Sequence, residues 1–429
     1  MCEQRRLCSS WDSLACKSMS TCISAAIAAV SIALFSGGRV FGFDASTVDG
    51  AVTASNAFAF DLYLQARKGQ SNFVCSPAGA AIALTMVAAG AQGETQAEML
   101  HALHIDSENL PENLDKTYGS FAAILTALNE RDGKSGLALN VSSRLWIEEG
   151  LKARPAYVSL LRDVFLTLLP ESFDNRGEAT VAAINQWASN ETRGRVPQIL
   201  ARLSGTGTIV LVNVVSMTGA WQRPFEQRAT YDAKFNNPPK RTTVKMMKQL
   251  GTFGYAQVDG AKLVGLPYEG GLSMIVVLPD ESDGLEKIEN RLGGQYAEWV
   301  GALEPQWVDL ELPRCTTTTA LPLADLLKAM GILRAFDRHQ ANFSDMAHAS
   351  VGEADRQNLY IGDALQKVRI ETAAPVIKVH HQGKPVERDH LFDPPPPVIF
   401  HADHPFMYVV RDVKSGVILF MGRVVKPTK

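Results

Sequence analysis

Five of the nine histidines fall between His380 and His404, within the stretch HHQGKPVERDHLFDPPPPVIFHADHPF. Imidazole both binds transition metals and exchanges protons near neutral pH, so His401, Asp403 and His404 are the first candidates for metal ligands. Their spacing matches no helical or turn-built zinc site, and histidine on a solvated loop accounts for them equally well. His101 and His104, on one helical turn, read the same way. No metal site is expected. Nucleophilic and nucleotide chemistry fare no better, because the chain has no G-x-S-x-G, no Walker loop and no G-x-G-x-x-G after a strand. The sequence therefore predicts no catalytic residue, no cofactor and no enzyme. Asn140-Val-Ser, Asn190-Glu-Thr and Asn342-Phe-Ser are glycosylation sequons, for which chance occurrence is the ordinary explanation.

The histidine-rich stretch is polar, broken by the tetraproline Pro394–Pro397, and flanked on both sides by apolar β-like segments. The elements around it can be read from periodicity and punctuation. SPAGAAIALTMVAAGA predicts a helix with Ser76 as its cap and Pro77 in its first turn. GETQAEMLHAL predicts a second helix, with Thr95 and Glu98 spaced as a capping box. EATVAAINQWASNETRGRVPQIL predicts a third, broken near Gly194, and LPLADLLKAMG a short one ending at Gly331.

TIVLVNVVSM is nearly unbroken apolar and β-branched, which suits a strand buried on both faces, and LSMIVVLP is similar. QKVRIET alternates, setting Val368 and Ile370 against Lys367, Arg369 and Glu371. FMYVVRDVKSGVILFMGRVV reads as two strands around a Lys414-Ser415-Gly416 turn. Helices and strands interleave without a βαβ rhythm, which predicts an α+β fold in a single domain.

A net charge of −3 on 429 residues gives no reason to expect a nucleic-acid partner. At the N-terminus, Arg5, Arg6 and Lys17 precede the apolar run ISAAIAAVSIALF, too short for a comfortable membrane span. Residues 1–42 thus read as a signal peptide cleaved near Gly42, with an uncleaved anchor as the alternative. The expectation is a secreted or periplasmic monomer with no membrane association after cleavage. Four of the six cysteines lie in that segment, leaving Cys75 and Cys315, expected to be buried free thiols, with a bridge between them as the alternative.

From about Ser55 to Pro427 the chain resembles the serpin family. The resemblance is carried by NFVCSPAGAAIALTMVAAGAQGETQAEM, LVNVVSMTGAWQRPF, VKMMKQLGTFGY, LPYEGGLSMIVVLP, LLKAMGILRAFDRHQANFSDM and FHADHPFMYVVRDVKSGVILFMGRVVKP, in the family's order. It implies three β-sheets surrounded by helices in one domain at 51–427, with an exposed reactive loop at about 372–397. It assigns Asn72, Ser76, Asn213, Trp221 and Gln366 to the shutter and breach of the large sheet, although Gln366 stands where a histidine is usual. It also implies a target protease, of serine or cysteine class, as partner. The protease cuts the loop, the freed arm inserts as a new strand, and the acylated enzyme is dragged and distorted before it can deacylate.

The loop departs from the family pattern, which starts Glu-Glu-Gly-Thr-Glu and continues with alanines. In one register Gln382-Gly383-Lys384 replaces that start and Lys384, Pro385, Val386, Glu387, Arg388 and Asp389 form the arm. Lys384 and Arg388 then share one face and Glu387 and Asp389 the other, so either face buries charge, and Pro385 removes a ladder donor. In the other register the arm begins at Thr372, Ala373 and Ala374, as TAAPVIKVHH, with Pro375 and Lys378 as obstacles. Arg388 is the bond a trypsin-like protease would choose; His390-Leu391 and Asp393-Pro394 are the other scissile candidates. Two functions follow: an inhibitor of serine or cysteine endopeptidases, or a non-inhibitory protein of the same fold that serves as a protease substrate, carrier or binding protein.

Overall fold

The computed structural model describes residues 44, 46–69, 72–105, 110–165, 167, 171–173, 177–204, 207–237, 240–349, 359–371 and 396–427. Along the chain, α1 (Val48–Ala66), β1 (Phe73–Cys75), α2 (Pro77–Ala88), α3 (Gly93–Ala102) and α4 (Leu110–Asn129) come first. Next are β2 (Leu137–Glu148), β3 (Leu151–Ala153), α5 (Pro155–Asp163), β4 (Glu171–Phe173), α6 (Glu178–Glu191) and β5 (Ile209–Gly219). The middle holds β6 (Tyr231–Asn237), β7 (Lys240–Val258), β8 (Ala261–Pro267), β9 (Leu272–Pro279), α7 (Leu285–Glu289), α8 (Leu292–Gly301) and β10 (Glu304–Pro313). The last are β11 (Thr316–Pro322), α9 (Leu323–Ala329), β12 (Ala347–Ala349), β13 (Ile361–Glu371), β14 (Val398–His401), β15 (Phe406–Asp412) and β16 (Ile418–Val424).

The main sheet has five strands in the order β11-β13-β5-β2-β4. A nine-stranded assembly runs β1-β16-β15-β9-β8-β7-β10-β14, with β6 also on β7. Strand β7, 19 residues long, serves two parts of that assembly. Its end, Gly254–Val258, pairs β8, Met246–Tyr255 pair β10, and Lys240–Met246 pair β6. A two-stranded ribbon joins β12 to β3.

The unbroken apolar run of β5 is explained by cover on both sides. Val210, Val212 and Val214 pack with Trp146, Ile184 and Trp187, so α6 lies over one face of the sheet. Leu211, Val215 and Met217 join the main core with Val368 and Ile370 of β13. Strand β13 is covered on one face only, and its burial alternates as the sequence predicts.

Helix α2 is buried at all twelve positions. Ser76 caps it by accepting from Gly79 N, and Pro77 occupies the first turn. Helix α9 ends just before Gly331, which takes φ +98° as a C-terminal glycine does. In the β15–β16 turn the Asp412 carboxylate accepts from Lys414 N, Ser415 N and Ser415 Oγ, and Gly416 adopts φ +79°. Cys75 and Cys315 are buried and unbridged.

Two local expectations need correction. The capping box at Thr95 and Glu98 does not form. Helix α3 starts earlier, at Gly93, and both side chains serve tertiary contacts instead. Thr95 Oγ1 accepts from Asn342 N at 3.0 Å, and Glu98 accepts from Leu333 N and Arg334 N at 2.8 Å each. The third helix does break near Gly194, α6 ending at Glu191 and Gly194 taking φ +77°, but the segment after the break is not helical; there the Thr192 hydroxyl donates to Ala188 O and its Oγ1 accepts from Val196 N.

Among the described residues no helix is long and apolar enough to cross a membrane. The segment 1–42 lies outside the described residues.

Candidate functional site at the main-sheet slot

Strands β5 and β13 are parallel neighbours through ten register pairs, from Ile361↔Ile209 to Glu371↔Thr218, with a shift at the start. Midway along this seam Gln366 stands opposite Asn213. Both are fully buried, as is Ser76 above them, so their polar atoms must find partners within the protein.

They do so in one connected set. Gln366 Nε2 donates to Asn213 Oδ1 at 2.7 Å and to Ser76 O at 2.8 Å, while its Oε1 accepts from Ser76 N at 3.0 Å. Asn213 Nδ2 donates to Ser143 Oγ at 2.9 Å and Ser142 O at 3.1 Å on β2. The Ser76 hydroxyl donates to Leu419 O on β16 at 2.8 Å. The chain of bonds therefore bolts β2, β5 and β13 to the N-terminus of α2 and to the second sheet assembly.

Close approach of α2 depends on Gly79: a Cβ there would lie 2.9 Å from Asn213 Oδ1 and 2.9 Å from a Val215 methyl.

The five residues assigned to shutter and breach thus separate into three groups. Ser76, Asn213 and Gln366 meet at the seam. Trp221 lies beyond the end of β5, buried and stacked on Tyr268 at 4.0 Å between ring centroids and 16° between planes, with Phe225 edge-on at 6.3 Å. Burial pushes the Tyr268 phenol well above its ordinary range. Asn72 is remote from the seam. Its Oδ1 accepts from Val425 N and Lys426 N at 2.7 and 2.8 Å, and its amide donates to Lys426 O, tying β1 to the chain end.

Ser143 completes the network and was missed from sequence. The alternation of β2, which puts Ser143 on the buried face with Leu139, Val141 and Leu145, was the signal available.

The three residues weighed as metal ligands, His401, Asp403 and His404, also separate. His404 is fully engaged, Nδ1 with Asp403 and Nε2 with Pro279 O, both at 2.7 Å. His401 instead faces Asp309 and Glu311. His104 contacts Asp61 at 2.7 Å, and His101 is exposed.

Strand β13 ends at Glu371 in the main sheet, and the next described strand, β14, begins at Val398 in the other assembly. Most of the expected reactive loop falls between them. The candidates Thr372, Ala373, Ala374, Gly383, Lys384, Pro385, Arg388, His390 and Asp393 all lie outside the described residues.

A model of the family described as serpin (serine protease inhibitor) matches residues 53–427. An uncharacterised serpin-like protein of Thermococcus kodakarensis is 32% identical over 387 residues, 88% of this chain and 85% of the relative. The leukocyte elastase inhibitor of Homo sapiens is 29% identical over 391 residues, covering 87% and 99%. The crystal structure of human thyroxine-binding globulin with its hormone superposes with a TM-score of 0.76 at 23% identity, over 89% of this chain and 100% of that one. A five-stranded main sheet bolted at its β5–β13 seam, a chain that leaves it at Glu371 to re-enter the second assembly at Val398, and a family match over residues 53–427 make this chain a member of the serpin family.

Proposed function

We propose that the chain is an exported inhibitor of serine, or cysteine, endopeptidases that acts by loop cleavage and strand insertion between β5 and β13. The observation that carries this reading is the parallel pairing of those two strands next to the start of the loop. A chain that doubles back from Glu371 runs antiparallel to β13, and therefore antiparallel to β5 as well. One parallel ladder is then replaced by two antiparallel ones, which pair slightly better per residue and add the hydrogen bonds of a whole strand.

The chemistry belongs to the protease. Its serine or cysteine attacks a loop carbonyl, the peptide bond breaks, the new amine takes the proton and leaves, and an acyl-enzyme remains. Inhibition results if insertion outruns hydrolysis of that ester or thioester.

The register beginning at Thr372 suits this role better than the one at Lys384, although Pro375 still removes one ladder donor. Alternation sets Ala373, Pro375, Ile377 and Val379 on one face, and Thr372, Ala374, Val376 and Lys378 on the other. An apolar face can then meet the core while Lys378 stays on the side that β13 leaves half-exposed.

The non-inhibitory reading has its own support. In the register beginning at Lys384, charged residues fall on both faces and Pro385 interrupts the ladder. A globulin of the same fold carries thyroxine.

Incubation with trypsin-like, chymotrypsin-like and papain-like proteases, followed by denaturing electrophoresis, separates the two. An inhibitor leaves a covalent complex that survives SDS. With trypsin-like enzymes that complex should depend on Arg388 and be lost in Arg388→Ala. Loop cleavage by every class with full protease activity retained would reject inhibition in favour of a substrate or carrier.

A further inference from the structure

Strand β14 is four residues long, sits at the edge of its sheet, and begins directly after the expected loop. Its last residue, His401, is in register with Glu311 of β10, and Asp309 lies on the same face of β10 two residues earlier. The His401 Nε2 atom is buried and makes no hydrogen bond, yet it lies 3.6 Å from Asp309 Oδ2 and 3.7 Å from Glu311 Oε1. All three ligand atoms fall within 4.8 Å of one another. Tetrahedral zinc with bonds of about 2.0–2.1 Å sets its ligand atoms about 3.3 Å apart. The two distances from His401 to the carboxylates are thus a few tenths of an ångström longer than in a loaded site, and the two carboxylates lie within 4.8 Å of each other.

The surroundings fit a cation. Lys248 from β7 places its ammonium 3.0 Å from both carboxylates, and Tyr231 donates to Glu311 Oε2 at 2.7 Å. That bond holds Glu311 in place, as a supporting hydrogen bond orients a metal ligand. The Glu311 side chain is only 9% exposed, whereas that of Lys248 is 40% exposed, so the ammonium can swing out to water. One imidazole with two carboxylates selects zinc over calcium or magnesium, which take oxygen donors.

We propose that Asp309, Glu311 and His401 form a zinc site in which the metal replaces the Lys248 ammonium and clamps β14 to β10. The clamp acts on the strand that receives the C-terminal end of the loop. It rests only on the geometry of the β10–β14 edge and stands whether or not the protein inhibits a protease.

The test is calorimetric titration of the full chain with zinc chloride at neutral pH, together with amide exchange of residues 398–401 with and without zinc. Wild type should take up one zinc equivalent that His401→Ala and Asp309→Asn lose, with affinity lowered by more than about tenfold. Lys248→Met should bind more tightly, because the competing ammonium is gone. Zinc should slow exchange along β14 in wild type but not in His401→Ala. Zinc held by other histidines or cysteines would appear equally in every variant. Equal uptake by wild type and His401→Ala, or uptake that leaves β14 exchange unchanged, would overturn the site. Melting curves of each variant identify any that fail to fold, and Lys248→Met, which keeps all three ligands, still gives a result in that event.

Discussion

Gln366 shows how much a single amide can hold together. It accepts one buried hydrogen bond and donates two, linking β13 to β5 and to the start of α2. A glutamate has the same shape but no donors. In Gln366→Glu a carboxylate would face Ser76 O and Asn213 Oδ1; Ser76 O keeps its bond from Ala80 N, whereas Asn213 Oδ1 loses the Gln366 donor. A buried unsatisfied group costs about 1–3 kcal/mol, and more where a charge is buried, so the variant should lose at least about 1–3 kcal/mol at pH 7. The pH dependence has a definite sign. Burial raises a carboxyl pKa, so the introduced acid is neutral in the folded state at a pH where it is charged in the unfolded chain. The penalty therefore grows as pH rises above the unfolded value of about 4.3 and eases on acidification. Urea melts of Gln366→Glu and wild type at pH 5 and pH 7.5 check this; a stability difference independent of pH would mean that the carboxylate finds solvent.

At the scale of elements, the proposed insertion requires the seam between β5 and β13 to open. Arg369 and Ser216 face each other in register on the side away from the main core. Adjacent strands place their α-carbons at a separation that a disulfide spans. The double variant Ser216→Cys/Arg369→Cys should thus lock the seam when oxidised. The oxidised form is expected to be cut at the loop without trapping the protease, and reduction should restore the SDS-stable complex. Trapping by the oxidised form, with the cross-link verified by mass spectrometry, would rule out insertion between these strands.

How far such elements could be read in advance depended on whether their signal is local. Helix α2 was legible from Ser76 and Pro77, and β13 from its alternation, because capping and pleating are properties of adjacent residues. The capping box at Thr95 was illegible because Asn342 and Leu333, more than two hundred residues away, compete for the same side chains. The seam network joins positions 76, 143, 213 and 366, and only family resemblance put three of them together; no period connects them. The Asp309–Glu311–His401 trio was hidden similarly: Asp309-Leu-Glu311 reads as ordinary alternation until β14 pairs beside it.

For the whole molecule, the question is whether the intact form is the most stable arrangement of the chain. Its five-stranded main sheet has the seam closed along ten register pairs, and its two parallel strands are neighbours joined through the Gln366–Asn213 bond. Opening the seam breaks that ladder and exposes the buried amides, which sets a barrier. Filling it with a strand restores a partner for every broken bond and adds a second ladder, which sets a gain. While the loop is tethered at both ends, Glu371 and Val398, the gain is held back by the span between the two sheet assemblies. Cleavage removes the tether, so the clipped inhibitor should be more stable than the intact chain. For a domain of this size each kcal/mol shifts the melting temperature by roughly 1.3 °C, and a net gain of about 5 kcal/mol would raise it by about 6 °C. Calorimetric scans of the protein before and after limited trypsin cleavage measure the difference directly. A rise of that order, with both fragments still associated, is the outcome expected of an insertion-competent molecule. A clipped form that melts with the intact one would mean that the arm stays outside the sheet, leaving the seam of β5 and β13 as a purely structural joint and the protein as a substrate or carrier.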